Sequence, residues 1–247
     1  MALPKLDTPV YSVELPSTGE EVKYRPFLVK EQKVLMMAQE SQDNKQMVDM
    51  MGKLIESCTF KKIDADKAPM FDIEYLFLKM RAKSIGETIS LDVLCEDDGE
   101  TKVPVEINID DVHPQITENH SNIIPITENI KLHLRYPLLK DQYLLVDDSK
   151  SDVQRVFDLL HRCVHEIHDG DVVYKRTDIT NKDLEQFVDQ MTTEQFEMVM
   201  EFFSGMPKLR HVIEVVNPKT KVKNTVVLEG LAALHITPPR IIDSKKT

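Results

Sequence analysis

The sequence is poor in several of the residues that common functions require. It has 7 glycines in 247 residues. They are scattered, so the chain holds neither GxGxxG nor GxxxxGK[ST], and a glycine-built phosphate cradle is excluded. Its three cysteines, Cys58, Cys95 and Cys163, are odd in number and far apart. They read as free thiols in a reducing compartment and not as a disulfide framework. Tryptophan is absent, and we attach no functional meaning to that. Basic residues are outnumbered: Lys plus Arg is 31, Asp plus Glu is 42, and the net charge is −11. Such a chain lacks the general field that draws a phosphate backbone, so no nucleic-acid partner is expected. No apolar run approaches the ~18–20 residues of a membrane helix, so no membrane span is expected. The first residues lack the basic and apolar regions of a signal peptide.

A hydrophobic content of 41% is enough for a packed core. Alternating residues on both sides of Ser17-Thr18-Gly19-Glu20 predict a short hairpin. Helical spacing then runs from about Val29 to Cys58, interrupted by the polar stretch 39–46, with Asp43 or Asn44 as the cap of a second helix. A third helix is predicted over 72–85. Period-two alternation predicts a hairpin over 89–109 with its turn at 97–100, and Pro104 marks an edge strand. Residues 113–122 read as loop, and Ile123–Arg135 contains a further strand. The run 152–167 reads as one amphipathic helix capped by Ser151. Val172–Tyr174 suits a short strand. Helices open at Thr180 and Thr192, and a hairpin follows over 210–230 around Asn217-Pro218-Lys219-Thr220. The tail TPPRIIDSKKT is either disordered or docked elsewhere.

The fold class expected is therefore α+β, with helical segments interleaved with antiparallel hairpins. Two helix-plus-hairpin units are suggested, 72–109 and 193–230. A division into regions 1–137 and 138–247 accompanies this reading, with one domain as the alternative.

No catalytic constellation is legible, and the chain is read as a non-enzyme. The carboxylate pairs Asp97/Asp98, Asp110/Asp111 and Asp147/Asp148 fall in predicted turns, where Asp serves local hydrogen bonding. Cys95 has no neighbouring base and reads as inert. His161, His165 and His168 form the one metal-like cluster. His161 and His165 are i,i+4 and share a helix face, an arrangement suited to capture of a divalent metal. HEIH is not HExxH, however, and histidines at a helix end complement the dipole, so the structural reading is preferred and no metal or cofactor is assigned; a metal-dependent enzyme using these three histidines is the alternative from another class. The Met-rich helices, with Met36, Met47, Met50 and Met51, and the basic turn Lys79, Arg81 and Lys83 are the candidate partner contacts. The competing readings are a core stripe for the first and a solvated helix end for the second.

Three blocks carry a resemblance: LPSTGEEVKYRPFLVKEQKVLMMA, FDIEYLFLKMRAKSIGE, and FFSGMPKLRH with VVLEGLAAL. Their sequence and order are similar to the baseplate hub assembly family of contractile-tailed bacteriophages, which includes a hub subunit and a hub assembly chaperone. The resemblance implies a late assembly protein that binds other baseplate hub or tail proteins, with self-association as a further option. It would act in the host cytoplasm, and as a permanent subunit it would stay in the tail baseplate. Relatives in this family tend to carry Cys-x-x-Cys knuckles resembling a zinc ribbon. Here the first hairpin keeps only Cys95 and the second, Val216-Asn217-Pro218-Lys219, has none. A closed zinc site needs four ligands, so the hairpins are expected to hold together by pairing and packing alone.

Overall fold

In chain order the computed structural model begins with β1 (Tyr11–Glu14) and β2 (Glu21–Tyr24), then α1 (Val29–Ser41), α2 (Asn44–Cys58) and α3 (Met70–Ile85). Next come β3 (Thr88–Leu94), β4 (Lys102–Asn108), β5 (His113–Gln115), β6 (Ile123–Pro125), β7 (Ile130–Leu134) and α4 (Gln142–Leu145). The remainder is α5 (Asp152–Cys163), β8 (Val164–Asp169), β9 (Val172–Lys175), α6 (Asn181–Asp189), α7 (Thr193–Gly205), β10 (Lys208–Val216), β11 (Lys223–Glu229) and α8 (Gly230–Ala233). The structure describes residues 6–41, 43–145 and 149–233. Asp147, Asp148 and the tail from 234 onward lie outside them. The fold is α+β, as the alternation predicts.

The chain divides into two compact units. One joins the segment up to residue 115 to the segment from 208 onward; the other is 116–207. This division departs from the boundary near residue 137 drawn from the sequence. The reason is a strand pairing: β10 hydrogen-bonds β11 on one side and β5 on the other, with Leu209 opposite Pro114 and Arg210 opposite His113. The stretch 113–115, read as loop, is thus a strand. The C-terminal hairpin belongs to the N-terminal unit.

In that first unit the interruption at 39–46 does end one helix and start another. Asp43 caps α2 by accepting from the Lys45 N–H at 2.8 Å and the Gln46 N–H at 3.2 Å, which satisfies N–H groups the helix cannot. The entry to α1 is fixed by charge. The Arg25 guanidinium holds Glu31 at 2.9 Å and also reaches the Ser57 hydroxyl at 2.9 Å, joining the end of β2 to α1 and α2. Both charged side chains are buried. Burial alone would raise the Glu31 carboxyl, but Arg25 and the Leu28 N–H together hold it below its ordinary value.

The core of this unit follows from the period-two pattern. Strand β3 alternates exposed and buried along its whole length, so Ile89, Leu91 and Val93 face inward. They pack with Tyr75, Leu78 and Ala82 of α3, Ile107 of β4, Leu209 and Val215 of β10, and Leu228 of β11. One helix therefore serves both hairpins. The C-terminal hairpin shares its core with α3, and α7 packs into the core of the other unit.

The 116–207 unit is a four-stranded antiparallel sheet in the order β6-β7-β8-β9. Leu132, Leu134, Val164 and Ile167 from its inner face pack with Leu160 of α5, Leu184 and Val188 of α6, and Val199 and Phe202 of α7. The helix expected over 152–167 stops at Cys163. The Val164 N–H still donates to the Leu160 carbonyl, but Val164 takes φ −59° and ψ 123° and begins β8. From there the buried positions pair with β7, and burying a strand outweighs another helical turn.

Candidate functional site

Three features are candidates, and each grows from the elements just described. The first lies where the turns of the two hairpins in the first unit meet. In one, the Cys95 N–H donates to the Thr101 carbonyl and the Gly99 N–H to the Cys95 carbonyl. In the other, the Asn217 N–H donates to Val222 and the Lys221 N–H to Asn217. The Asp97 carboxylate bridges them. It accepts from the Asn217 and Asn224 side-chain amides, each at 2.9 Å, and from the Thr220 hydroxyl, while the Asp97 N–H donates to Asn224 at 3.0 Å. These donors, Asn217 first, hold the Asp97 carboxyl below its ordinary range. Asp98 is likewise held low, by the Thr101 hydroxyl first and the Thr101 N–H next.

Cys95 and Asp98, with Asn217 and Thr220, keep the x-x spacing of two zinc-ribbon knuckles. Their donor set does not fit that metal: one thiol, one carboxylate, an amide and a hydroxyl, with the last two spent on Asp97. The Cys95 thiol is buried and raised by that burial. Hydrogen bonds between side chains, in addition to strand pairing and packing, join the two turns.

The second feature is on the outer face of the β6–β9 sheet. His133 of β7 stands directly across from Glu166 of β8, and His168 follows two residues on. The pairing register shifts between His133 and Leu134, so that Leu134 faces Val164. This bulge turns His165 outward next to Glu166. The His168 Nε2 is 2.8 Å from the Glu166 carboxylate, and the His133 Nδ1 is 3.8 Å from the same oxygen. The two imidazole rings stack with centroids 3.9 Å apart and planes 15° from parallel. Burial, and then the neighbouring His168, keep His133 below its ordinary value; the bond from His168 lowers Glu166.

The histidines singled out in the sequence are thus redistributed. His161 is in the last turn of α5, with Glu185 and Asp189 of α6 and Arg176 contributing to its electrostatic surroundings. Its Nε2 is buried with no hydrogen-bond partner in the structure. His165 and His168 lie on β8. Only His168 belongs to the His/Glu group found among the described residues, whose ligand atoms lie within 4.8 Å of one another. His133 escaped the sequence reading because its partner is supplied by a strand that was read as helix. The signal was present: NIKLHL alternates, and it places His133 on the polar side.

The third feature is the edge of the same sheet. All four residues of β9 are exposed, including Val172 at 52%, Val173 at 45% and Tyr174 at 48%. The strand is paired to β8 and forms the end of the sheet. Apolar side chains on an unpaired edge are the feature that soluble folds ordinarily suppress.

The residues expected as partner contacts are placed as follows. Met36, Met47, Met50 and Met51 are half-buried on α1 and α2. Lys79 is only 9% exposed and is held by Asp110 at 2.9 Å. Lys83 is paired with Glu87, and Arg81 donates to the Gly86 carbonyl at 3.0 Å. The basic turn is thus engaged within its own unit rather than forming an open patch. The thiols of Cys58 and Cys163 are buried and pushed up to about 11 and about 12, which suits packing and not nucleophilic chemistry.

A family model for the T4 bacteriophage base plate protein matches residues 8–234. The chain belongs to the T4 bacteriophage base plate protein family. No curated protein and no solved structure gave a match. As a base plate protein it has a structural or assembly role in the phage tail and works among other tail proteins. No helix among its described residues is long and apolar enough to cross a membrane.

Proposed function

We propose that this base plate protein is a non-enzymatic assembly factor that binds components of the central hub while the baseplate is built in the host cytoplasm. The observation that carries the reading is the exposed, apolar β9 edge. It ends a sheet whose inner face packs into the core through β6, β7 and β8. Such an edge recognises an extended segment of a partner by adding it as a fifth strand. Backbone hydrogen bonds supply affinity, and alternate side chains supply register. The net charge of −11 keeps a chain with such an edge dispersed and favours basic surfaces on partners. The half-buried methionines of α1 and α2 are a secondary contact in this reading.

A permanent place in the hub is the second reading, supported by the same family membership. Affinity capture from infected cells tests the proposal: hub proteins are expected to co-purify with the chain, and recovery of a lone chain without any of them overturns it. Mass spectrometry of purified particles separates the two readings. Absence from particles supports a transient factor, whereas a fixed copy number supports a subunit.

A further inference from the structure

The outer face of the β6–β9 sheet carries a cluster that strand addition does not use. We propose that His133, Glu166 and His168 form a binding site for one divalent first-row transition cation of the zinc class.

The geometry is close to what such an ion requires. Ligand atoms about 2.0–2.1 Å from a tetrahedral zinc lie about 3.4 Å from one another. Here the Glu166 carboxylate oxygen is 2.8 Å from one imidazole nitrogen and 3.8 Å from the other, so an ion would open the first contact and close the second by roughly half an ångström each. All three ligand atoms fit within 4.8 Å. The backbone sets the positions: a cross-strand pair and the residue two further along β8 share one face of an antiparallel ladder. The bulge beside them holds β8 at a local twist. Without an ion the imidazoles stack on each other; because each nitrogen lone pair lies in its ring plane, binding turns one ring out of the stack so that both nitrogens aim at the ion.

The donor set also selects the ion. Two imidazoles with one carboxylate suit zinc, nickel or copper, whereas magnesium and calcium favour all-oxygen shells. The side chains are 18%, 23% and 29% exposed, leaving an open side for entry and for a water ligand. Lys131 pairs with His168 across the ladder, and Lys175 with Glu166. These two cations bound the affinity from above. A bound ion would tie β7 to β8 next to the strand that carries the exposed edge.

The test uses the full chain without an affinity tag, first stripped with a chelator. Zinc is titrated by calorimetry, cobalt by its visible absorption, and the melting temperature is followed with zinc and with magnesium. The expected result is one equivalent of zinc bound and a higher melting temperature with zinc alone. Both effects should be lost in the His133→Gln/His168→Gln double variant and separately in Glu166→Gln, whose circular dichroism remains that of the parent. No stoichiometric zinc binding by the parent overturns the proposal. So does binding that both variants retain, which would place the ion at other residues.

Discussion

Asp97 and Asn217 are 120 positions apart in the chain, and their side chains meet at 2.9 Å. Between them lies the whole of the 116–207 unit, so this contact joins the two ends of the other unit across an insertion. Asn217 is fully buried and also accepts from the Lys219 N–H at 2.8 Å and the Thr220 N–H at 3.3 Å. It is both the organiser of its own turn and a donor to the neighbouring one.

Asn217→Ala removes those bonds; the main-chain donors of Lys219 and Thr220 are on exposed residues that water can reach, so the cost is that of the lost hydrogen bonds, about 0.5–1.5 kcal/mol each. Urea unfolding of parent and variant measures this. The acid limb of the stability curve adds a second signature. Asp97 and Asp98 have folded values below their unfolded ones, so their contribution is complete above the unfolded carboxyl value of about 3.9 and is lost as pH falls through the folded values. In Asn217→Ala, where Asp97 loses its main donor, stability should fall less steeply below about pH 4 than in the parent.

Glu74 gives the opposite pH response. Burial raises its carboxyl to about 7, against the Leu231 N–H, which lowers it. A carboxyl raised in the fold holds its proton more tightly there than in the unfolded chain. The penalty for ionising it develops as pH rises from about 4.5 to about 7 and is complete above that. Glu74→Gln is therefore expected to stabilise the protein at pH 8, by about 1–3 kcal/mol on the scale of such shifts, and to be close to neutral at pH 4. Thermal melts at the two pH values check it; equal effects at both would contradict it.

The β9 edge makes a separate prediction. Lysine at Val172 and Val173 places two charges where strand addition needs an uncharged edge. Both positions are exposed, so the melting temperature should stay near that of the parent, with stability changed by less than about 0.5 kcal/mol per site. Co-purification with hub proteins should fall. Unchanged capture by the double lysine variant would remove β9 from the account.

Particular elements show what the sequence made legible. The β3–β4 hairpin is written in its alternation, because each one-residue slip would turn Ile89, Leu91 and Val93 to solvent. The break between α1 and α2 is written in Asp43, whose side chain offers the cap a helix start needs. The change from helix to strand at Cys163–Val164 was not legible. VHEI fits a helical stripe and a strand alike, and only the pairing with β7 decides between them. The pairing of β5 with β10 was hidden for the same reason, since its two members are separated by the second unit. The site suffered accordingly. His168 was singled out with the wrong companions, and His133 became visible only once β7 and β8 were laid side by side.

We propose that this chain is needed to complete the central hub of the baseplate. A phage whose copy of this gene carries an early stop codon tests it most directly, with tails examined by electron microscopy and mass spectrometry after infection. Baseplates lacking a completed central hub are expected, with assembly restored by the parent chain supplied in trans and not by the Val172→Lys/Val173→Lys variant. Normal hubs and infectious particles formed in the absence of the chain would contradict it.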